Sequence, residues 1–191
     1  MRIIAGTHRG MALAAPGAGD PAAHLRPTAD RVRESLFNLL THGAGDPVPG
    51  ARVLDLFAGT GALGLEALSR GAVQATFVED GAAARALLRR NIEKMRATGT
   101  TRVWRRDATR LGPCRGAPFT LLFLDPPYGR DLGAQALASA MAGGWLAPGA
   151  VVVWEENAPQ TPPAGFAPLD TRRYGDTWLT LLTHSPPTPP G

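Results

Sequence analysis

Cysteine and lysine are almost absent from this chain of 191 residues: Cys114 and Lys94 are the sole examples. One cysteine excludes an internal disulfide and a cysteine-built zinc site, and points to a reducing compartment such as the bacterial cytosol. No apolar run approaches the roughly 18 residues that a membrane span needs. The opening residues, Met1 to Arg9, lack the apolar stretch of a signal peptide. The four histidines, His8, His24, His42 and His184, are scattered and show no metal-ligand spacing, so no metal site is expected. Glycine (23) and proline (18) are abundant, but no three-residue glycine period exists, which excludes collagen. Hydrophobic residues make up 44% and charged residues 19%, the balance of a globular domain.

The net charge is +4, from 20 basic and 16 acidic residues. All basic residues except Lys94 are arginine. Because Arg, Ala, Gly and Pro are enriched together, genome base composition explains that skew. The basic balance still permits a polyanionic partner.

Three regions are expected: a basic N-terminal hairpin extension over 1–27, a core over 28–184 and a Pro-rich disordered tail over 185–191. Ile3-Ile4-Ala5 and Met11-Ala12-Leu13-Ala14 flank a glycine loop, the pattern of a small hairpin. A helix is expected after Thr28, which can cap it, with Val32, Leu36 and Leu40 on its buried face. Asp30, Arg31, Arg33 and Glu34 are expected on its open face. Strands are expected over 52–57, 73–79, 102–105, 119–124 and 150–154, with helices over 62–70, 82–96 and 132–141 between them. Residues 168–174 and 178–183 read as a closing antiparallel pair that turns at Gly175-Asp176. Alternating strands and helices predict a doubly wound α/β sheet.

Two motifs carry chemistry. The first is Asp55-Leu56-Phe57-Ala58-Gly59-Thr60-Gly61-Ala62-Leu63-Gly64, a strand, a glycine turn and a helix start. Gly59 and Gly61 allow the backbone to approach a ligand closely. Glu79, twenty residues past Gly59, ends the second strand, where a carboxylate can hold ribose hydroxyls. The spacing suits a nicotinamide dinucleotide and S-adenosylmethionine alike. Asp55 leans towards the latter, since a carboxylate there attracts an amino group and repels a pyrophosphate.

The second motif is Asp125-Pro126-Pro127-Tyr128, just past a strongly apolar strand. In open α/β sheets, ligands lie beyond the carboxyl ends of the strands, so this loop should border the same crevice. The amino group of a nucleobase is a poor nucleophile, because its lone pair is delocalised into the ring. Hydrogen bonds from its two protons to the Asp125 carboxylate and the Pro126 carbonyl favour a pyramidal nitrogen. Tyr128 offers a ring for the base to stack on, worth about 1–3 kcal/mol.

Together the motifs resemble an amino-group methyltransferase. Further stretches, Arg2-Ile3-Ile4-Ala5-Gly6, Arg9-Gly10, Leu25 to Asn38 and Gly61 to Gly71, are similar to the RsmD family, bacterial methyltransferases of a guanine N2 in small-subunit (16S) ribosomal RNA. The resemblance covers Arg2 to about Thr183. It implies a Rossmann-like class I fold with a seven-stranded, mostly parallel sheet and an antiparallel last strand, preceded by a small β-hairpin and helix. It implies S-adenosylmethionine as cofactor, with Asp55, Phe57, Gly59 and Gly61 at its methionine end, Glu79 at the ribose, and Asp107 with Ala108 at the adenine. Asp125, which also borders the cofactor, would handle the guanine with Pro126 and Tyr128. Arg2 and Arg9 would meet RNA, and Arg26, Thr28, Arg31 and Arg33 would lie by the cofactor or hold RNA phosphates. A cytoplasmic monomer acting on the 30S subunit is implied as well.

Two departures from the family stand out. Met11-Ala12 replace further basic residues after Arg9-Gly10, and Asp80-Gly81 follow Glu79 where a second acid usually comes one residue later. Trp104, Trp145, Trp154 and Trp178 are expected to pack the core or sheet edges, and Cys114 to be incidental. The rival readings are a DNA amino-methyltransferase, a nicotinamide oxidoreductase and a catalytically silent RNA-binding module.

Overall fold

The structure, a computed structural model, describes residues 1–17 and 29–185. Arg26 and Thr28 of the expected site, and most of the Pro-rich tail, lie outside the described residues.

Seven strands form one sheet. They are β1 (Arg52–Leu56), β2 (Gln74–Val78), β3 (Thr101–Trp104), β4 (Phe119–Leu124), β5 (Leu146–Glu156), β6 (Phe166–Tyr174) and β7 (Thr177–His184). The spatial order is β3-β2-β1-β4-β5-β7-β6. The first five strands run parallel, and β7 inserts antiparallel between β5 and β6. This is the expected Rossmann-like class I methyltransferase sheet. The order reverses between β1 and β4, and that is where an open α/β sheet leaves a crevice.

Strand β4 reads Phe-Thr-Leu-Leu-Phe-Leu, and five of its six residues are buried. Such a run suits the sheet centre, where both faces are covered. On one face Leu54, Leu56, Leu122 and Leu124 pack with Leu137, Ala140 and Trp145. On the other Val53, Leu121 and Phe123 pack with Leu36, Phe37, Leu40 and Leu65. Strand β5 starts four residues before the expected position. Its pairing with β4 shifts register between Phe119 and Leu121, and this irregularity absorbs Pro148 and Gly149, which read as a break.

Four helices accompany the sheet: α1 (Asp30–Gly43), α2 (Ala62–Ser69), α3 (Ala82–Lys94) and α4 (Leu132–Ala142). Ala29 occupies the α1 cap position, with no side-chain bond to the helix end. The α1 expectation needs one correction. Its buried residues are Arg33, Leu36, Phe37 and Leu40, so Arg33 does not share the open face with Arg31. The Arg33 side chain is wholly buried, because buried Glu66 of α2 and the Asp30 carboxylate compensate its charge.

The N-terminal residues pair as a small hairpin: Arg2 bridges Ala12, and Ile3 N donates to Met11 O at 2.9 Å, Gly10 N to Ile3 O at 2.8 Å and Leu13 N to Met1 O at 3.1 Å. Side chains of the core also hold this arm. Glu66 accepts the Ile4 and Ala5 N–H groups at 2.7 and 3.0 Å. Ser69 donates to the Ala5 carbonyl at 2.6 Å, and Lys94 to the Ala12 carbonyl at 2.5 Å. Ile3 and Leu13 are buried beneath it.

Candidate active site

The site is built where β1, β2 and β4 end. Beyond β1 the backbone turns sharply: Phe57 has φ 58°, rare for a residue with a side chain, followed by Gly59 at 54° and Gly61 at 79°. Backbone strain of this kind concentrates at functional sites. Gly61 leads into α2, and a Cβ there would meet Leu88 Cδ1 at 2.3 Å.

Asp55 is 2% exposed. Its Oδ2 accepts the backbone N–H of Gly64 at 3.0 Å, in the first turn of α2. Burial pushes the carboxyl up to about 8, the Gly64 bond partly offsets this, and the Glu79 charge adds to it. Glu79, at the end of β2, bridges two loops. Its Oε2 accepts Gly59 N–H at 2.8 Å, and its Oε1 accepts Gly81 N–H at 2.7 Å. Each carboxylate oxygen has a second lone pair, so Glu79 retains capacity for ribose hydroxyls.

Glu79 opens onto a cleft lined by Phe57, Val78, Asp80, Arg106 and Ala108. Phe57, Glu79 and Ala108 thus come together, and Asp80 stands beside Glu79. Val78 and Arg106 escaped the sequence reading. Asp107 caps the short turn Ala108–Arg110: its Oδ1 accepts from Thr109 N and Oγ1 at 2.8 and 2.7 Å. Those bonds hold its carboxyl below the usual range.

The second motif arrives next to the first. Leu56 of β1 pairs with Leu124 of β4, so Phe57 and Asp125 leave the sheet side by side. Asp125 is half-buried, Pro126 buried, and Pro127 and Tyr128 exposed. Tyr128 Oη donates to Glu155 Oε1 at 3.0 Å and lies 3.4 Å from Thr177 Oγ1. Burial raises the phenol above its ordinary range; Thr177 partly offsets that, and the Glu155 and Asp125 carboxylates add to it. Glu155, 5% exposed on β5, also escaped the sequence reading. A signal existed: Glu155-Glu156 directly follow the apolar run Val151-Val152-Val153-Trp154. Acids that end a buried strand face the crevice, not a solvated loop.

Arg2, Arg9 and Arg31 are exposed. Arg33 is not, and its Nη2 donates to the Arg2 carbonyl. Its expected place at RNA is corrected to a place in the protein interior, under the N-terminal arm. Glu66 had its own signal, as the one charge in the apolar helix α2.

The choice between the two cofactor classes turns on Asp55. A dinucleotide pyrophosphate needs the N–H groups at the helix start. Here Asp55 already takes the Gly64 N–H, so that donor is not open to a phosphate. The family model described as "Conserved hypothetical protein 95" matches residues 1–183. The chain belongs to this family, the RsmD family. It is 41% identical over 170 residues to "Ribosomal RNA small subunit methyltransferase D" of Escherichia coli K12, covering 87% of this chain and 81% of that one. The Haemophilus influenzae protein of the same name is 33% identical over 180 residues, covering 92% and 89%. Among solved structures, the Escherichia coli protein yhhF superposes with a TM-score of 0.81 at 36% identity, covering 98% of this chain and 99% of that one.

S-adenosylmethionine is the cofactor of this RsmD-family enzyme. The donor set suits it: Asp55 and Glu79 are both buried, and among the described residues neither is paired with a basic side chain. A cationic ligand compensates such acids, while an anionic one would not.

Proposed function

We propose that this protein methylates the exocyclic N2 of one guanine in small-subunit ribosomal RNA, using S-adenosylmethionine. One observation carries the reading: the Asp125-Pro126-Pro127-Tyr128 turn leaves β4 directly beside the glycine loop that leaves β1. The name of the Escherichia coli relative, a ribosomal RNA small subunit methyltransferase, supports RNA as the substrate.

When bound, the cofactor supplies an electrophilic methyl group on a positively charged sulfur. Asp55 would face its amino end and Glu79 its ribose, with Phe57 and Ala108 along the cleft and Asp107 next to the adenine. Asp125 accepts a hydrogen bond from one N–H of the guanine amino group, and the Pro126 carbonyl accepts one from the other. Both bonds draw the nitrogen lone pair out of conjugation and aim it at the methyl carbon. After transfer the nitrogen carries an extra proton, which Asp125 is placed to take. Tyr128, tethered to Glu155, supports the base from one face. Catalysis on this reading is positioning and orientation, with no covalent enzyme intermediate.

The target base must stand outside a helix or be flipped from one, which costs a few kcal/mol when it is paired. With net charge +4 and a small N-terminal hairpin, the grip on naked RNA is limited. The substrate is therefore the assembled or assembling 30S subunit, met in the cytoplasm by a monomer. The test is methyl transfer from labelled S-adenosylmethionine to small subunits from cells lacking this protein, with the modified nucleoside mapped. Label in a single N2-methylguanosine is the expected result. Label only in DNA, or none while the cofactor binds, overturns the RNA reading.

A further inference from the structure

The active site uses one edge of the sheet, where the strands end. At the opposite edge, where they begin, a groove lies open on the face shared with α4. Its walls include Arg52, Thr76, Arg102, Trp104, Arg115 and Phe119. The chain between β3 and β4 contains only one short turn, so no long helix covers this part of the sheet. The groove holds three arginines and no acid.

Its charge is fixed in place. Arg52 donates through Nη2 to the Ala117 carbonyl at 2.9 Å and through Nη1 to Gln74 Oε1 at 3.0 Å, so neutral oxygens hold it and its charge stays uncompensated. Arg102 and Arg115 are exposed, and no ion pair joins either to a carboxylate among the described residues. Trp104 is half-exposed, braced edge-on by buried Trp145 at 5.1 Å. Arg106 stands between the groove and the active cleft. Arg106 lines that cleft and lies 5.2 Å over the Trp104 ring, which lines the groove. Residues 102–115 contain five arginines and one acid, Asp107, whose carboxylate is already bonded to Thr109.

We propose that this groove is a second RNA-contact surface, which grips the phosphate backbone of the substrate through Arg102 and Arg115 while the target base lies at the other edge of the sheet. The proposal rests on the ribosomal RNA reading above. Phosphodiester RNA fits for two reasons. Arginine forks match phosphate oxygens in pairs, and an exposed ring beside them suits a base or ribose. Contacts to the backbone hold register without reading sequence. A small enzyme gains most from a grip remote from the chemistry.

The test is the double variant Arg102→Ala/Arg115→Ala in the full chain, with Arg102→Lys/Arg115→Lys as the charge-retaining control. Both positions are exposed and outside the core, so the fold is unaffected; cofactor binding by calorimetry should match the unaltered protein. Binding to a protein-free small-subunit rRNA fragment is followed by fluorescence anisotropy against salt, and KM and kcat are measured on small subunits. The alanine variant should bind the fragment about tenfold more weakly, with the slope of log K against log salt reduced by about 1.5. KM should rise with kcat unchanged, and the lysine variant should recover most of the affinity. Unchanged affinity and slope overturn the proposal. A rise in KM on subunits with no change on bare RNA also overturns it, in favour of a ribosomal-protein partner. Should the unaltered protein methylate only DNA, the ribosomal RNA reading fails first and the groove proposal with it.

Discussion

Glu79 Oε2 accepts the Gly59 N–H at 2.8 Å, and the same carboxylate accepts Gly81 N–H at 2.7 Å through Oε1. One side chain thus joins the loop after β1 to the loop after β2, and shapes the cleft before any ligand enters. Glu79→Gln replaces one accepting oxygen with an NH2 group that faces an N–H donor. Cofactor affinity measured by calorimetry should fall at least tenfold, since a lost charged hydrogen bond costs about 1.5–3 kcal/mol. Unchanged affinity would remove Glu79 from the cofactor site.

Asp55 makes cofactor binding pH-dependent. Its carboxyl titrates at about 8 in the folded protein, against an ordinary 3.8. Between those values the folded state holds a proton that the unfolded state has released, so folding stability falls as pH rises through this window. Asp55→Asn, which still accepts the Gly64 N–H, should abolish that fall and raise Tm at pH 7. The ionised form is the one that attracts an ammonium group. Cofactor affinity should therefore increase from pH 6 to 8 in the unaltered protein, with proton release visible by calorimetry in two buffers. In Asp55→Asn the affinity should be lower, with this proton release gone.

Asp125 acts on the amine, not on the cofactor's anchoring. Asp125→Ala should lower kcat about 100-fold or more while cofactor affinity stays within twofold, the scale seen when one oriented polar group is lost. Tyr128→Phe keeps the ring and loses only the bond to Glu155, so its effect should be a modest rise in KM. Tyr128→Ala loses the stacking surface and should raise KM at least tenfold. Full turnover by Asp125→Ala sinks the mechanism.

Glu66 is a structural test. It is fully buried, pairs with Arg33 and Arg70, and accepts two N–H groups of the N-terminal arm. Glu66→Ala leaves buried Arg33 with Asp30 as its remaining counter-charge and unpairs two arm N–H groups, and should cost about 3–5 kcal/mol, read from denaturant unfolding. A loss under 1 kcal/mol would mean that the arm is held mainly by Ile3 and Leu13.

The sequence by itself determined the strand and helix alternation, the glycine turn, the acid twenty residues later and the proline turn after the apolar strand. These features are local: periodicity, turn chemistry and short spacing are set within a few residues of each other. An antiparallel last strand followed from the resemblance to the RsmD family; its insertion between β5 and β6 did not. Tertiary structure alone decided the partners. Arg33 reads as one more charge on an exposed helix face, and becomes interior only because Glu66, thirty-three residues later, is brought beneath it. Glu155 joins the site because β5 lies next to β4, and Asp107 is held at its turn by Thr109. The arginine groove likewise draws on four strands whose starts are far apart in the chain. A side chain's charge is written in the sequence, but its burial and its partners depend on contacts between distant segments, which exist only once the chain has folded.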